Sequence, residues 1–334
     1  MTGVRLGVYI GRFQPLHNAH QQVMLEALSQ VEQLVVILGS ARAARSIKNP
    51  FTVSERQDMI TAALQQAGVA PTRLHFMGVR DFWDTPAWAS AVREAVSHVQ
   101  NGAHDLILFG HEKDASSAYL REFPDWTFRP TQVRSALSAT PLRRAWLRGD
   151  WVTLEDAVPS AVLCWLRDFA RRAEYAALQE EALALHHWRA AWTSAPHTPT
   201  FVSAHALVQS ERAVLLHRRV QMPGRSLWQL PGGLLHPQAS LRDSATRHLR
   251  EQTGLDTSLP PPEIVLTFDH PERSLLGREV AYVHAWRIPH HRFAASASSH
   301  WLHDDEALAQ PEQFYADHYR LLELTLERLE KRGG

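Results

Sequence analysis

Along the first half of the chain, short apolar runs alternate with longer stretches whose apolar residues recur at helical spacing. The runs at residues 6–10, 34–38, 74–77 and 106–109 are β-type. Between them, residues 20–31, 54–66 and 88–99 carry apolar side chains on one helical face. Two of these helices have readable starts. Thr52 with Glu55 forms a capping box, and Asp84-Thr85-Pro86 offers a cap followed by a first-turn proline. Strands alternating with helices predict a mostly parallel sheet covered by helices, an α/β domain of Rossmann type.

Over residues 142–191 the pattern becomes helical and charged, as in closing helices that run into a connector. Ser194-Ala195-Pro196-His197-Thr198-Pro199 then breaks it. After the break come β-type segments at 201–208 and 213–218, a turn at Pro231-Gly232-Gly233, a helix near 240–253, and strands near 264–268 and 280–286. That order predicts an α+β domain. The expected division is a first domain over 1–190, a linker over 191–199 and a second domain over 200–334.

A length of 334 residues suits two domains, each with its own core. Lys+Arg and Asp+Glu are equal at 35 each, so no overall field draws the chain onto nucleic acid or an anionic membrane. Any phosphate must be held by a local site. Cys164 is the one cysteine, which rules out an intramolecular disulfide and fits a reducing compartment. The start lacks the apolar region of a signal peptide, and the apolar runs are too short to span a bilayer. A soluble, cytoplasmic protein is expected, with homo-oligomerisation left open. Most of the 20 histidines are scattered singly and fit surface or core roles.

The exceptions lie in Gly11-Arg12-Phe13-Gln14-Pro15-Leu16-His17-Asn18-Ala19-His20, where a strand ends and a helix begins. That junction offers backbone N–H groups and a positive helix end to an anion. His17 and His20 are expected on one face of the first turn, where two imidazoles can donate to phosphate oxygens. Later, Thr131-Gln132-Val133-Arg134 follows a short β-type run at 126–128; Thr131 can cap the next helix and Arg134 can present a forked cation to a triphosphate.

These stretches resemble the nucleotidylyltransferase superfamily, whose strand-to-helix motif is His-x-Gly-His; Ala19 stands at the glycine. Gly-Arg-Phe-Gln-Pro is the form met in NMN adenylyltransferases, and Thr131 to Arg134 is similar to the family's late Ser/Thr-x-x-Arg motif. Asn49-Pro50-Phe51-Thr52 with Glu55-Arg56, Trp83 and Trp88, and Gly110-His111-Glu112-Lys113-Asp114-Ala115-Ser116-Ser117 resemble the subgroup fused to Nudix domains. The resemblance implies that NMN phosphate attacks the α-phosphorus of ATP, expelling pyrophosphate and leaving NAD. It implies catalytic roles for His17, His20 and Arg134, ATP contacts from Gly11, Arg12, Phe13, Lys113, Asp114 and Thr131, and Mg²⁺ accompanying ATP. Asn49, Trp83 and Trp88 would receive NMN, with Trp88 stacking on the pyridinium ring; core packing is the alternative for each tryptophan.

The segment from Leu230 to Leu255 resembles the Nudix box, Gly-x5-Glu-x7-Arg-Glu-apolar-x-Glu-Glu-x-Gly-apolar. Aligned from Gly233, the spacing is intact, but Ala239, His248 and Gln252 stand at three of the glutamate positions and only Glu251 remains as a metal ligand. A neutral imidazole and a neutral amide are poor partners for Mg²⁺. Loop acids Asp304, Asp305 and Glu306 are candidates to compensate. Residues 268–275 with Gly277-Arg278 are similar to fused ADP-ribose pyrophosphatase domains. The implied chain is an adenylyltransferase whose Nudix-like domain has weak or lost hydrolase activity and binds ADP-ribose, NAD or nothing. The alternatives are a bifunctional enzyme that also cleaves ADP-ribose, and a non-enzymatic sensor of NAD or ADP-ribose. A transcriptional sensor would need a basic recognition helix, and none is readable. An aminoacyl-tRNA synthetase would need a Lys-rich second signature, also absent from the sequence.

Overall fold

The computed structural model describes residues 5–100, 105–110, 121–131, 137–255, 259–289 and 296–333, and the chain divides into two compact units, Met1–Gln179 and Glu180–Gly334. Lys113, Asp114 and Arg134 lie outside the described residues.

The first unit alternates β1 (Arg5–Gly11), α1 (Asn18–Leu28), β2 (Gln33–Leu38), α2 (Val53–Gln66), β3 (Leu74–Gly78), α3 (Thr85–Ser97), β4 (Asp105–Gly110) and β5 (Thr127–Pro130). All its strand pairs are parallel, in the order β3-β2-β1-β4-β5. The sheet therefore grows outward from β1 in one direction and then in the other. Beside β1, at the strands' carboxyl ends, such a reversal leaves a crevice. Leu6, Val8, Val35, Ile37 and Leu108 are buried with Val92 and Val96 of α3, which explains why the strands read as continuous apolar runs. Thr52 and Glu55 make both bonds of the capping box. Asp84 holds the N-cap position of α3 but makes no side-chain cap bond, so Pro86 in the first turn is the working start signal.

Three further helices follow, α4 (Ala139–Leu147), α5 (Trp151–Glu155) and α6 (Ser160–Phe169). Trp146 of α4 and Phe169 of α6, both fully buried, pack with Phe51, their ring centroids 5.0 and 5.5 Å from it. The closing helices thus brace the loop that leads into α2. The next helix, α7 (Ala173–Ala190), carries the boundary between the units at residues 179 and 180.

The second unit contains β6 (Phe201–Ser210), β7 (Ala213–Arg218), β8 (Trp228–Gln229), β9 (Gly232–Leu234), α8 (Leu241–Thr253), β10 (Ile264–Phe268), β11 (Glu279–Arg287), β12 (Ser299–His303), α9 (Asp304–Ala309) and α10 (His318–Gly333). Its mixed sheet runs β10-β11-β6-β7-β12, with β8 on β7 and β9 on β6. The β6–β11 pair is parallel and the others are antiparallel. Pro231-Gly232-Gly233, expected as a turn, leads into β9 instead, with Gly232 opposite His205 and Leu234 opposite Ser203. A Cβ on Gly232 would stand 2.1 Å from His205 Nδ1, so this glycine admits close approach rather than a reversal.

Candidate functional site

After Gly11 the chain crosses the carboxyl end of the sheet through Arg12, Phe13 and the cis Gln14-Pro15 bond. Phe13 adopts a left-handed φ of 50°, and its ring folds back so that a Cβ on Gly11 would meet it at 2.6 Å. Gln14 is 1% exposed and clasps one residue with both ends of its amide. Its Nε2 donates to Phe51 O and its Oε1 accepts from Phe51 N–H, each at 2.9 Å. Arg56, equally buried, donates through one guanidinium nitrogen to Arg12 O at 2.8 Å and Gly39 O at 2.7 Å, and through Nε to Thr52 O at 3.2 Å. Burial pulls its pKa down to about 10, with Asp81 acting in the opposite direction. These two polar side chains fix the exits of β1 and β2 and the entry to α2 relative to one another.

His17 is the N-cap of α1, with φ of −131°, rather than a residue of its first turn. Its Nδ1 accepts from His20 N–H at 3.4 Å, so a neutral His17 ring carries its proton on Nε2 and can donate from there. The two imidazoles stack, centroids 3.6 Å apart and 17° from parallel, and Phe13 meets His20 edge-on at 4.9 Å. Asn18 ties this helix start to the α5–α6 connection through Ala157 O at 2.9 Å and Asp156 O at 3.0 Å.

Arg143 of α4 donates to Gln14 O at 2.8 Å and to Thr140 Oγ1 at 3.1 Å. Its pKa is depressed to about 10, first by burial and then by the positive charges of Arg12 and Arg144. Arg143 thus holds the Gln14 loop from α4, and the positive charges of Arg12 and Arg144 act on it, so a bound anion here would offset like-charge repulsion. The charged run in which Arg143 lies gives no hint of a partner 129 residues away in sequence.

Asn49 sits in a tight loop, its N–H donating to Ser46 Oγ at 3.3 Å and its carbonyl accepting from Ser46 N–H at 3.2 Å. Its Oδ1 is buried without a hydrogen-bond partner, an acceptor available to a ligand amide. Glu55 holds Arg45 through two bonds of 2.9 Å; burial raises its pKa, but Arg45 and the Thr52 bonds outweigh this and the net shift is downward. Trp83 is half-buried in the β3–α3 turn. Trp88 is also half-buried and packs edge-on against Phe123 at 5.8 Å, so part of its ring belongs to the core. Thr131 is buried, and its N–H and hydroxyl both donate to Gly110 O, at 2.8 and 3.1 Å. Its hydroxyl proton fastens the end of β5 to the end of β4. The structure thus gathers Gly11, Arg12, Phe13, His17 and His20 at one strand-to-helix turn and braces Asn49 against it through the Gln14–Phe51 clasp.

In the second unit the Nudix-like segment is a strand, a loop and α8. Ser240 caps α8 by accepting from Asp243 N–H at 3.1 Å, and Gly254 closes it in the left-handed conformation with φ of 72°. Gln252 does not face a ligand: its Oε1 accepts from Gly232 N–H and its Nε2 donates to Gly232 O, both at 2.9 Å. His248 Nε2 lies 2.9 Å from Leu234 O and must carry the proton, since a carbonyl can only accept. The His236 ring stacks on His248 at 4.6 Å, and Glu251 forms an exposed ion pair with Arg247 at 2.8 Å. The Arg247 bond is the first cause of Glu251's lowered pKa. Among the described residues, His236, His248 and Glu251 form a cluster able to hold a metal, their ligand atoms within 4.8 Å of one another. His236 was not anticipated as part of it. Asp304 is buried and accepts from Gln209 at 2.7 Å, while Asp305 faces Arg212 at 3.6 Å, so these acids serve the β6–β7 turn and not the cluster. With Ala239 lacking a donor and Gln252 tied to backbone, a single charged oxygen ligand remains at the box positions, and the residues present do not fit Mg²⁺.

Nearby, Arg273 is a buried hub, 3.0 Å from Glu279 and 2.9 Å from Asp317. Ser203 donates to Glu279 at 2.5 Å, and His205 Nε2 is 3.0 Å from Ser203 Oγ. Burial pushes Asp317 up to about 6 and His205 down to about 3.

Both units resemble known proteins. The cytidylyltransferase-like family model matches residues 8–145 and the NUDIX domain model residues 199–324. A nicotinamide/nicotinic acid mononucleotide adenylyltransferase of Acinetobacter baylyi is 38% identical over 52% of this chain and 91% of its own length. A nicotinamide-nucleotide adenylyltransferase of Thermococcus kodakarensis is 31% identical over 49% of this chain and 84% of its own. The crystal structure of a bifunctional NMN adenylyltransferase/ADP ribose pyrophosphatase from Francisella tularensis superposes with a TM-score of 0.90 at 26% identity, covering 97% of this chain and 99% of that one. With a relative matched over nearly its full length and both architectures reproduced in order, the chain belongs to the family of NMN adenylyltransferases that carry a Nudix domain.

Proposed function

We propose that the first unit joins NMN to the adenylyl group of ATP, forming NAD and pyrophosphate. The observation that carries this reading is the stacked His17–His20 pair at the carboxyl end of β1, beside a loop that contains Arg12 and is held by Arg143. An oxygen of the NMN phosphate attacks the α-phosphorus of ATP, the bond from that phosphorus to the bridging oxygen breaks, and pyrophosphate leaves. No enzyme nucleophile is required. The residues' task is to align two polyanions and offset their repulsion, with His17, His20, Arg12 and Arg143 as donors and Mg²⁺ arriving as the counter-ion of ATP. Arg134 and Lys113 are proposed partners of the triphosphate and Asp114 a further ATP contact; the unpaired Asn49 Oδ1 supports an amide contact to NMN, whose pyridinium ring is proposed to meet Trp83 and Trp88.

For the second unit we propose weak or lost hydrolysis with retained binding of ADP-ribose, the substrate in the Francisella protein's name. The loss of the box carboxylates supports this; full bifunctionality is the competing outcome. No helix among the described residues is long and apolar enough to cross a membrane; the single cysteine, which fits a reducing compartment, supports a cytoplasmic location.

The test is pyrophosphate release and NAD formation from ATP and NMN by the full chain. His17→Ala should lower kcat by about 100-fold, the scale of losing one preorganised donor, with its circular dichroism unchanged. Failure of the unaltered protein to form NAD, or kcat within twofold in a folded His17→Ala variant, overturns the reading. AMP release from ADP-ribose with Mg²⁺ or Mn²⁺, with Glu251→Gln as control, separates weak from full hydrolase activity.

A further inference from the structure

We propose that His236, His248 and Glu251 form a binding site for a borderline transition-metal ion, Zn²⁺ in the first instance, in place of the Mg²⁺ that the Nudix box ordinarily gathers. The inference concerns binding alone and stands whichever reaction the first unit carries out.

The donor set decides the class of ion. Two neutral imidazoles and one carboxylate suit Zn²⁺, Co²⁺ or Ni²⁺, whereas Mg²⁺ requires oxygen ligands. The three ligand atoms already lie within 4.8 Å of one another, and His248 Nδ1 is 3.9 Å from Glu251 Oε2. Ligands about 2.0–2.2 Å from a tetrahedral ion are roughly 3.3–3.5 Å apart, so closing the site takes rotation of the exposed Glu251 side chain and a turn of the His236 ring out of its stack on His248.

Three details of the surroundings prepare His248 and His236 for this role. His248 Nε2–H donates to Leu234 O at 2.9 Å, which leaves the lone pair on Nδ1, the nitrogen near Glu251. Metal-bound histidines are habitually oriented by such a second bond to a carbonyl. Gly233 makes room for that ring, since a Cβ there would stand 3.0 Å from His248 Cε1. His236 is fixed by its backbone N–H donating to the buried Ser244 Oγ at 2.8 Å, yet its Nε2 is buried without a hydrogen-bond partner. Leaving a buried polar atom unpaired is costly, and a ligand role gives one reason for its retention.

The competitor for Glu251 is Arg247. Their side chains are 58% and 48% exposed for Arg247 and Glu251 respectively, in an i,i+4 pair, an arrangement too weak to withhold the carboxylate from a metal. Three protein ligands leave a coordination position open to water or to a phosphate oxygen.

The experiment uses the full chain, freed of metal by chelation and titrated with Zn²⁺ by calorimetry and with Co²⁺ by visible absorption. Because other histidines can also bind metal, the readout is the difference between unaltered protein and variants. Unaltered protein should bind about one more equivalent than His236→Ala/His248→Ala, with affinity at least about 10-fold above each single variant and no displacement by excess Mg²⁺. His248→Glu should shift preference back towards Mg²⁺. If His248→Ala unfolds, His236→Ala and Glu251→Gln carry the same comparison. Equal stoichiometry and affinity in the folded variants, or preference of the unaltered protein for Mg²⁺ over Zn²⁺, overturns the proposal.

Discussion

Replacing Gln14 by leucine isolates the clasp that joins the first strand-to-helix turn to the Asn49 loop. Leucine nearly matches glutamine in volume, so little cavity is created. What is lost is both bonds to Phe51, whose N–H and C=O each met the amide at 2.9 Å. Phe51 is 2% exposed and Gln14 is 1% exposed, so water does not readily replace the missing partners. At about 1–3 kcal/mol per orphaned buried group, the loss should be roughly 2–6 kcal/mol. That is a large part of a domain's net stability of about 5–15 kcal/mol. Urea unfolding followed by tryptophan emission provides the assay, and the transition that ATP shifts upward is assigned to the first unit by ligand linkage. Gln14→Glu gives a second arm. Its carboxylate still accepts from Phe51 N–H but opposes Phe51 O, and protonation restores a donor to that carbonyl. Burial and this repulsion raise the folded pKa of the introduced carboxyl group above its unfolded value, so Gln14→Glu should gain stability relative to Gln14→Leu as pH falls. A loss under about 0.5 kcal/mol, well short of one orphaned group, or a pH-independent Gln14→Glu, would refute the reasoning.

Three further outcomes follow from other contacts. Arg143→Ala, which removes a charge-assisted donor, should reduce kcat/KM for ATP by about 10- to 100-fold, and Arg143→Lys should keep part of it; steady-state kinetics at varied ATP decides. Gln252→Glu sets a carboxylate oxygen against Gly232 O, and the melting temperature of the second unit should drop; stabilisation by Mg²⁺ in the same thermal scan would mean that the clasp does not fix residue 252. His205 is held neutral, its pKa about 3 in the fold against 6.5 unfolded, so on acidification the unfolded chain takes the proton first and stability falls below pH 6.5. By pH 5 this amounts to about 2 kcal/mol. Asp317, raised to about 6 by burial, takes up its proton in the fold and acts in the opposite sense. The His205 contribution is therefore the difference between unaltered protein and His205→Asn in calorimetric scans at pH 7.5 and 5; equal pH dependence in the two would contradict it.

The strands and helices of the first unit were legible because their signals are local. The apolar runs at 6–10 and 34–38 become β1 and β2 with ends shifted by a residue or less, and the Thr52–Glu55 capping box forms as its spacing requires. β9 was not legible, because Pro-Gly-Gly is the usual signature of a reversal. Only the His205 ring, brought across by β6, shows why the glycine is needed there. α10 carries a local signal too, since Leu322, Leu326 and Leu329 have helical spacing and are buried.

Site roles divide along the same line, and the two glutamines make the reason plain. Gln14 lies within a motif and Gln252 at a position where the Nudix box has a carboxylate, so sequence assigns ligand chemistry to both neighbourhoods. In the fold each spends its entire amide on one residue's backbone, Phe51 at a separation of 37 and Gly232 at a separation of 20. An amide suits this task because it donates and accepts side by side, matching the N–H and C=O of a single exposed peptide edge. A glutamate could satisfy only half of it. The replacement at 252 is therefore more than the loss of a metal ligand: it changes a charged group into a strut, and it leaves His248, one helical turn away, as the nitrogen donor beside Glu251. Whether a polar residue is strut or ligand depends on the backbone group that the fold sets opposite it, and periodicity along the chain carries no record of that pairing.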